Sequence, residues 1–469
     1  LDNRFLSNDR EEKLKERMEC IDTVAMLFMI SWFSVIFQGA IRKWLLPGFS
    51  ILYFIQDLPI FIAYVYAMSR GIIWYGGVFY FSIILAFVLF VQTTLQMIFI
   101  GYDIASAVIG LHHYLFYLPM IFLVPACMTH KNIKLFLRLN LLTIIPMSIL
   151  AFLQVVSPRN SWINQTAAGD DVGRAFGVSE ALARSSGTFN FTLPFSVWCG
   201  IMAALVIGEW LTQRNMRSFR SRLFLILNTI AILITTATSG SRTAVFLVAL
   251  SFMGGFVAVL LRRNFSIFLG YAGLLILVPV FLGMAYLFAP ANLEALSSRF
   301  TEQKEQEEMT GRVRTMIVGF VTDTDFDIMG QGIAANIPAA SNASYMLNSN
   351  PFRGMSQYSF AEWDNIRAVQ GLGTIVGTFV VIARYVTSII VLFAAYKATM
   401  LPGAQRFDHA IPLAFTVVPT LAIGDMVHSA PIQAPQIFYC AAMICSALLY
   451  RRETYVSEPM PLMESTARV

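Results

Sequence analysis

Arg242 sits in the stretch TATSGSRTAVFLVAL, residues 236–250, among small hydroxyl residues with a long apolar run on either side. A cation placed within a bilayer costs about 2.5 to 3.5 kcal/mol at midplane, and less toward the edge, unless it is paired or hydrated. Two readings of Arg242 stand. It is either a boundary arginine that snorkels to the headgroups, or it faces an aqueous cleft and holds an anion, with Ser239, Ser241 and Thr243 as hydroxyl donors. Backbone N–H groups at the start of the following span add to the attraction for negative charge. A guanidinium grips phosphate oxygens as a fork, so a diphosphate is the natural guest.

The same grammar recurs at Arg184 in ARSSGTFNF, and TGRVRTMIVGF adds Arg312 and Arg314 as a third basic point. Several such arginines on one face make an electropositive cleft for an anionic, membrane-borne ligand. In FAEWDNIR, Glu362 and Asp364 are the acidic candidates for a general base. A carboxylate partly dried by the bilayer is suited to taking a proton from a sugar hydroxyl; the alternative is a helix-surface salt bridge, for example between Glu362 and Arg367. Asp323, Asp325 and Asp327 alternate as hard-cation ligands sometimes do, but without the glycine and terminal glutamate of a calcium loop they read as a solvated turn. His112, His113 and His428, with Asp57, Asp425 and Arg384, are ionisable groups in or at the ends of apolar runs. They read as satisfied interior groups and ion pairs, or as a proton or transport path.

The elements that position these residues are membrane spans. Of 469 residues, 57% are hydrophobic and only 13% charged, and the mean hydropathy is +0.65. Apolar runs of about 20 residues, each enough to cross a hydrocarbon core as a helix, recur along the chain. The pattern predicts an all-α polytopic membrane protein with about twelve transmembrane helices. They fall near 22–40, 50–69, 74–99, 104–127, 135–156, 189–211, 223–238, 243–261, 265–289, 369–396, 410–428 and 432–450. Lys and Arg cluster in alternate connections, including Arg214 to Arg222, Arg262 with Arg263, and Arg451 with Arg452, whereas the opposite short turns carry only Arg42, Lys43 and Arg242. That asymmetry places both termini in the cytoplasm.

The resulting plan is a cytoplasmic segment 1–21, spans 22–156, an outer loop 157–188, spans 189–289, a large outer loop 290–368, spans 369–450 and a cytoplasmic tail 451–469. The first span reads as an uncleaved anchor, since no small-residue cleavage site follows it. Within the large loop, Val313, Met316, Ile317 and Phe320 have helical spacing, and the Gly- and Asn-rich stretch from Ile328 reads as loop. Arg42 and Lys43 with Trp44 read as an interfacial anchor. The five cysteines show no metal or redox spacing. The net charge of +5 implies attraction to anionic headgroups and not nucleic-acid binding.

These stretches together resemble a known family. TSGSRTAVFLVAL, then LSSRF, TGRVRTMIVGFVTD and IMGQGIAAN, then GLGTIVGTFVV, are similar in order and topology to the O-antigen polymerase and O-antigen ligase superfamily, over residues 184 to 395. The resemblance implies a metal-independent, cofactor-free, GT-C-like glycosyltransferase of the bacterial inner membrane. Its substrate would be an undecaprenyl-diphosphate-linked glycan at the periplasmic face, and its partners membrane lipids and other polysaccharide-assembly membrane proteins. By position, Arg184, Arg242 and Arg312 would contact the diphosphate or glycan. Ligases of this kind carry a histidine near the end of the large loop, where this chain has Glu362; the segment from Pro290 to Ala368 has no histidine. A polymerase of repeat units, for O-antigen or exopolysaccharide, is therefore favoured over a ligase, with Glu362 as acceptor-activating base. A transporter or flippase, to which Pro119, Pro146, Pro419, Asp57 and Arg384 lend some support, would show internal repeats, and none is visible. A scaffold subunit is the third reading; the long arginine-bearing loops favour the enzyme.

Overall fold

The computed structural model describes residues 2–47, 49–165, 184–212, 218–262, 268, 271–273, 303–334, 364–401, 406–423, 433–446 and 448–449. Among these the chain is helical and contains no strand. Eight helices are long and apolar enough to cross a membrane, and three shorter apolar helices accompany them. The chain is a multi-pass helical membrane protein. In order, α1 is Asp2–Ala40, continued by a π-helical turn Ile41–Leu45, α2 Asp57–Ser69, α3 Gly77–Phe99, α4 Ile104–Leu115, α5 Met120–Cys127 and α6 His130–Val156. Then come α7 Thr192–Thr212, α8 Phe219–Thr238, α9 Arg242–Arg262, α10 Gln303–Thr322, α11 Asp364–Leu372, α12 Thr374–Met400, α13 Ala410–Ile423 and α14 Ala434–Ser446.

Four expected spans differ, the 369–396 span being divided at Gly373 (φ +85°) between α11 and α12. The 50–69 segment opens as a 3₁₀ turn, Ser50–Phe54, and becomes α-helical only at Asp57. The 104–127 segment is interrupted between α4 and α5, at Pro119, whose ring disfavours helix in the residue before it and which has no N–H to donate. The 265–289 segment falls almost wholly outside the described residues. Helix starts are set locally: Asp103 accepts from Ser106 N (3.0 Å) at the head of α4, and Thr129 from Asn132 N (3.3 Å) at the head of α6.

The core is built around α7, whose most apolar window is 83% buried, against 28% for α3; α7 is the central pillar and α3 a peripheral helix. Small residues let α7 and its neighbours approach closely, as is usual where helices pack without a hydrophobic drive. Ser251 of α9 donates to Gly200 O (3.0 Å) on α7 and lies 2.6 Å from the Thr416 hydroxyl on α13, tying three helices together. At the far end of α9, Arg262 pairs with Asp408, which also accepts from Arg406 Nε (2.8 Å). Nearby, His409 meets Glu209 at 3.3 Å.

Candidate functional site

The polar end of the bundle begins with the turn between α8 and α9. Thr235, Thr236 and Ser239 return their hydroxyls to carbonyls of their own helix, Ser239 to Thr236 O at 2.7 Å. Ser239 is fully buried, so its hydrogen is spent on shaping the turn. Ser241 N donates to Ser239 Oγ (3.2 Å), and α9 starts at Arg242, which is half-buried. A cation in the first turn of a helix opposes the helix macrodipole, an arrangement that suits an anion held over both.

The turn carrying Arg184 is seated against the first: Ser185 N donates to Thr238 O (3.5 Å). Gln154, near the end of α6, fixes it from the other side. Its Oε1 accepts from Ser186 N (3.1 Å) and Gly187 N (2.8 Å), and its Nε2 donates to Gly187 O (3.0 Å). Lys43, from the turn after α1, completes the assembly by donating to Ser186 Oγ (2.7 Å) and Gly187 O (3.4 Å). Lys43 is 1% exposed, so of the expected Arg42–Lys43–Trp44 anchor, the lysine is not at a lipid interface. Three basic stretches far apart in sequence therefore end at one place.

A second assembly joins the large loop to the membrane helices. Gly332 N donates to Gly371 O (3.0 Å), Gln331 N to Gln370 O (2.8 Å) and Thr374 N to Asp327 O (2.6 Å). IMGQGIAAN and GLGTIVG, two of the stretches that carry the family resemblance, thus pack backbone to backbone. Two glutamines one turn apart on α3 clamp them. Gln92 Nε2 donates to Leu372 O (2.7 Å) and Met329 O (3.0 Å), and Gln96 Nε2 to Met329 O (2.6 Å) and Gly371 O (2.8 Å). The Tyr102 hydroxyl accepts from Ala334 N (3.1 Å); burial pushes its phenol well above the ordinary range, so the group stays neutral.

Glycine is obligatory in this joint. A Cβ on Gly332 (φ +117°) would lie 2.0 Å from the Tyr102 ring, and one on Gly373 (φ +85°) 2.2 Å from Ile328 O. Backbone strain alone costs of order 1–3 kcal/mol at such a position. Gly332→Ala is expected to lower the thermal unfolding midpoint and to open the 328–334 loop to limited proteolysis; unchanged protection would contradict this packing.

Below the joint, Asp364 and Arg384 form a buried ion pair (3.0 Å). Arg384 also donates to Asn365 Oδ1 (2.9 Å), Asn365 Nδ2 to Tyr385 Oη (3.2 Å), and Tyr385 Oη to Ile317 O (2.8 Å) on α10. Of the ionisable groups in the apolar runs, Arg384 is thus ion-paired with Asp364; Asp425 lies outside the described residues. Asp57 is instead held by Tyr117 Oη (2.6 Å) and His112 Nε2 (3.1 Å). Arg384 and His113 share the wall of a small, largely apolar cleft with Phe81, Leu85, Leu118 and Val380. An aromatic chain runs from the basic turns toward it. Arg42 stands 5.9 Å from the Tyr53 ring, Tyr53 5.0 Å from Phe54, and Phe54 5.4 Å from His112.

Arg184, Arg242, Ser239 and Ser241 are thus brought together. Arg314 is exposed on α10, the helix docked beside the Asp364–Arg384 pair. The backbone of Arg312 lies in the same helix and its side chain outside the described residues, as does Glu362 altogether. Of the two acidic base candidates, Asp364 is fully buried, with its Oδ2 ion-paired to Arg384. The sequence reading missed Lys43, Gln154 and the Gln92–Gln96 pair. The i, i+4 glutamines inside an apolar span were the available signal, since amides at membrane depth need partners. Neither models of known protein families nor curated protein sequences give a match to this chain.

Proposed function

We propose that this chain is a GT-C-like glycosyltransferase of the bacterial inner membrane that polymerises undecaprenyl-diphosphate-linked oligosaccharide repeat units at the periplasmic face, both termini being cytoplasmic. The observation that carries the reading is the contact of the two serine–arginine turns, Ser185 N to Thr238 O, at the end of the bundle where Lys43 also arrives. Guanidinium groups there bind the diphosphate in the ground state. They stabilise the charge that develops on it as the glycosidic carbon–oxygen bond breaks, while the acceptor hydroxyl gives its proton to a base, Glu362 in this reading. The cleft beside Arg384 offers apolar wall to the isoprenoid chain.

The test is transfer by the full chain, purified in detergent and supplied with lipid-diphosphate-linked repeat units. A ladder of products on a gel supports the polymerase. A single addition that requires a lipid A core acceptor identifies the ligase. Binding of the lipid with no transfer to either acceptor removes the enzyme reading in favour of a transporter or flippase. Glu362→Gln is expected to lower the rate about 10²-fold or more, as for loss of a general base; unchanged turnover would remove Glu362 from the mechanism.

A further inference from the structure

Lys43 is a buried lysine whose protein partners are all neutral. Its ammonium donates to Ser186 Oγ at 2.7 Å and Gly187 O at 3.4 Å. Among the described residues no carboxylate stands within ion-pair distance of it. Buried charges are as a rule paired, because the attraction of a counter-charge is what offsets the loss of water.

The residues around it repeat the pattern. Ser186 Oγ accepts from Lys43, so its own hydrogen is left to point elsewhere, and among the described residues no protein acceptor receives it. The Ser185 hydroxyl and both ends of the Gln38 and Asn190 amides are buried with no hydrogen-bond partner, as is Arg42 Nε. These groups belong to facing stretches. A Cβ on Gly39 would lie 2.2 Å from Thr188 O and 2.5 Å from Asn190 N, so the end of α1 is pressed against the backbone that follows Ser186. Folded proteins satisfy nearly all such groups; a concentration of them beside a buried lysine with no counter-charge marks a place made for a ligand, and an anion bound there would hold the lysine protonated. The lysine, the hydroxyls and the Nε2 and Nδ2 ends of the two amides are donors and outnumber the two amide oxygens, which favours an acceptor-rich anion, and a phosphoryl group presents the most acceptor oxygens per charge. Gln154 holds Ser186 and Gly187 by their N–H groups, so the segment cannot swing away to satisfy Lys43 otherwise.

We infer that Ser186, with Lys43 behind it, forms a second anion subsite beside the Arg184 and Arg242 turns, and that it takes one phosphoryl group of a membrane-borne diphosphate. The inference rests on the reading of those turns as a lipid-diphosphate site. Ser186 is half-buried and is the contact; Lys43 is a positioning residue that directs the hydroxyl outward and supplies fixed positive charge, and Gln154 anchors both.

The full chain in phosphatidylcholine nanodiscs is titrated calorimetrically with farnesyl diphosphate, and separately with inorganic pyrophosphate. Lys43→Met and Ser186→Ala each weaken farnesyl diphosphate binding by about tenfold or more, the scale of a lost hydrogen bond to a charged group. Ser186→Thr, which keeps the hydroxyl, stays near wild type. An equal loss for pyrophosphate assigns the contact to the headgroup; a loss seen only with the farnesyl compound assigns it to the lipid form of the ligand. Lys43→Met keeps the unfolding temperature, because methionine fills the volume without a charge to desolvate. If it fails to fold, Ser186→Ala, which retains the lysine, carries the test. Wild-type affinity in Lys43→Met and Ser186→Ala, with loss in Arg242→Ala, overturns the subsite and leaves the lipid-diphosphate reading standing. No binding of either probe by the wild-type protein overturns both.

Discussion

Under the proposed polymerase function, replacing Arg242 with alanine is expected to cut chain extension by about 10²- to 10³-fold, the usual cost of removing one preorganised donor from a site where charge develops, in a protein that still folds. The fold survives because Arg242 is half-buried at the tip of a turn whose shape comes from elsewhere: the hydroxyls of Thr235, Thr236 and Ser239 and the contact of Ser185 N with Thr238 O. In that reading the rate falls because Arg242 opens α9, where the helix dipole and the guanidinium both favour a bound anion. Arg242→Lys is expected to recover part of the loss, since an ammonium supplies the charge without the fork. Initial rates at saturating lipid substrate check this. A fall in apparent affinity alone, with the saturated rate unchanged, would mean that Arg242 binds substrate and transition state equally.

What made Arg184 and Arg242 legible in the sequence was contrast: cations next to hydroxyls in an apolar surround. The same contrast misled at Lys43. A lysine followed by tryptophan at the end of an apolar run has the composition of a membrane-interface anchor, and only the return of the 184–188 segment over it, pinned by Gln154, makes it an interior group. That return joins positions 143 residues apart, and no local pattern encodes it. The helices were legible where apolar length decides and less so where a local break intervenes: at Pro119, and at Gln56–Asp57, where a polar pair delays the start of α2. The loop–helix joint was half-visible. Its glycines stood out as turn residues, but their partners Gln92 and Gln96 were submerged in an apolar span, because two amides scarcely change a hydropathy average while carrying most of the specific contacts. Asp364 as the partner of Arg384 was not legible for a related reason: pairing is a tertiary fact, and Asp364 reads as part of an amphipathic surface helix until α11 is seen folded back against α12.

The Asp364–Arg384 pair separates a role in assembly from a role in chemistry. Asp364→Ala is expected to destabilise the protein by about 3–5 kcal/mol, the cost of leaving a buried partner charge uncompensated. Arg384→Met should cost a similar amount or somewhat more, because besides leaving Asp364 uncompensated it takes the donor from Asn365 Oδ1 (2.9 Å). The double variant Asp364→Leu with Arg384→Met removes both charges together and is expected to recover most of the loss, since apolar replacement of a whole buried pair is often neutral or stabilising. Unfolding in detergent, followed by circular dichroism, measures the three. If the double variant is as unstable as either single one, the pair is embedded in a larger polar network whose other members also need it. If it is stable and still extends chains, Arg384 is a structural strut at the cleft wall. If it is stable but inactive, with diphosphate binding at the two serine–arginine turns retained, Arg384 contributes to the reaction itself from the side of the cleft that His113 shares, and the transferase site extends from those turns to the wall where α12 faces α3.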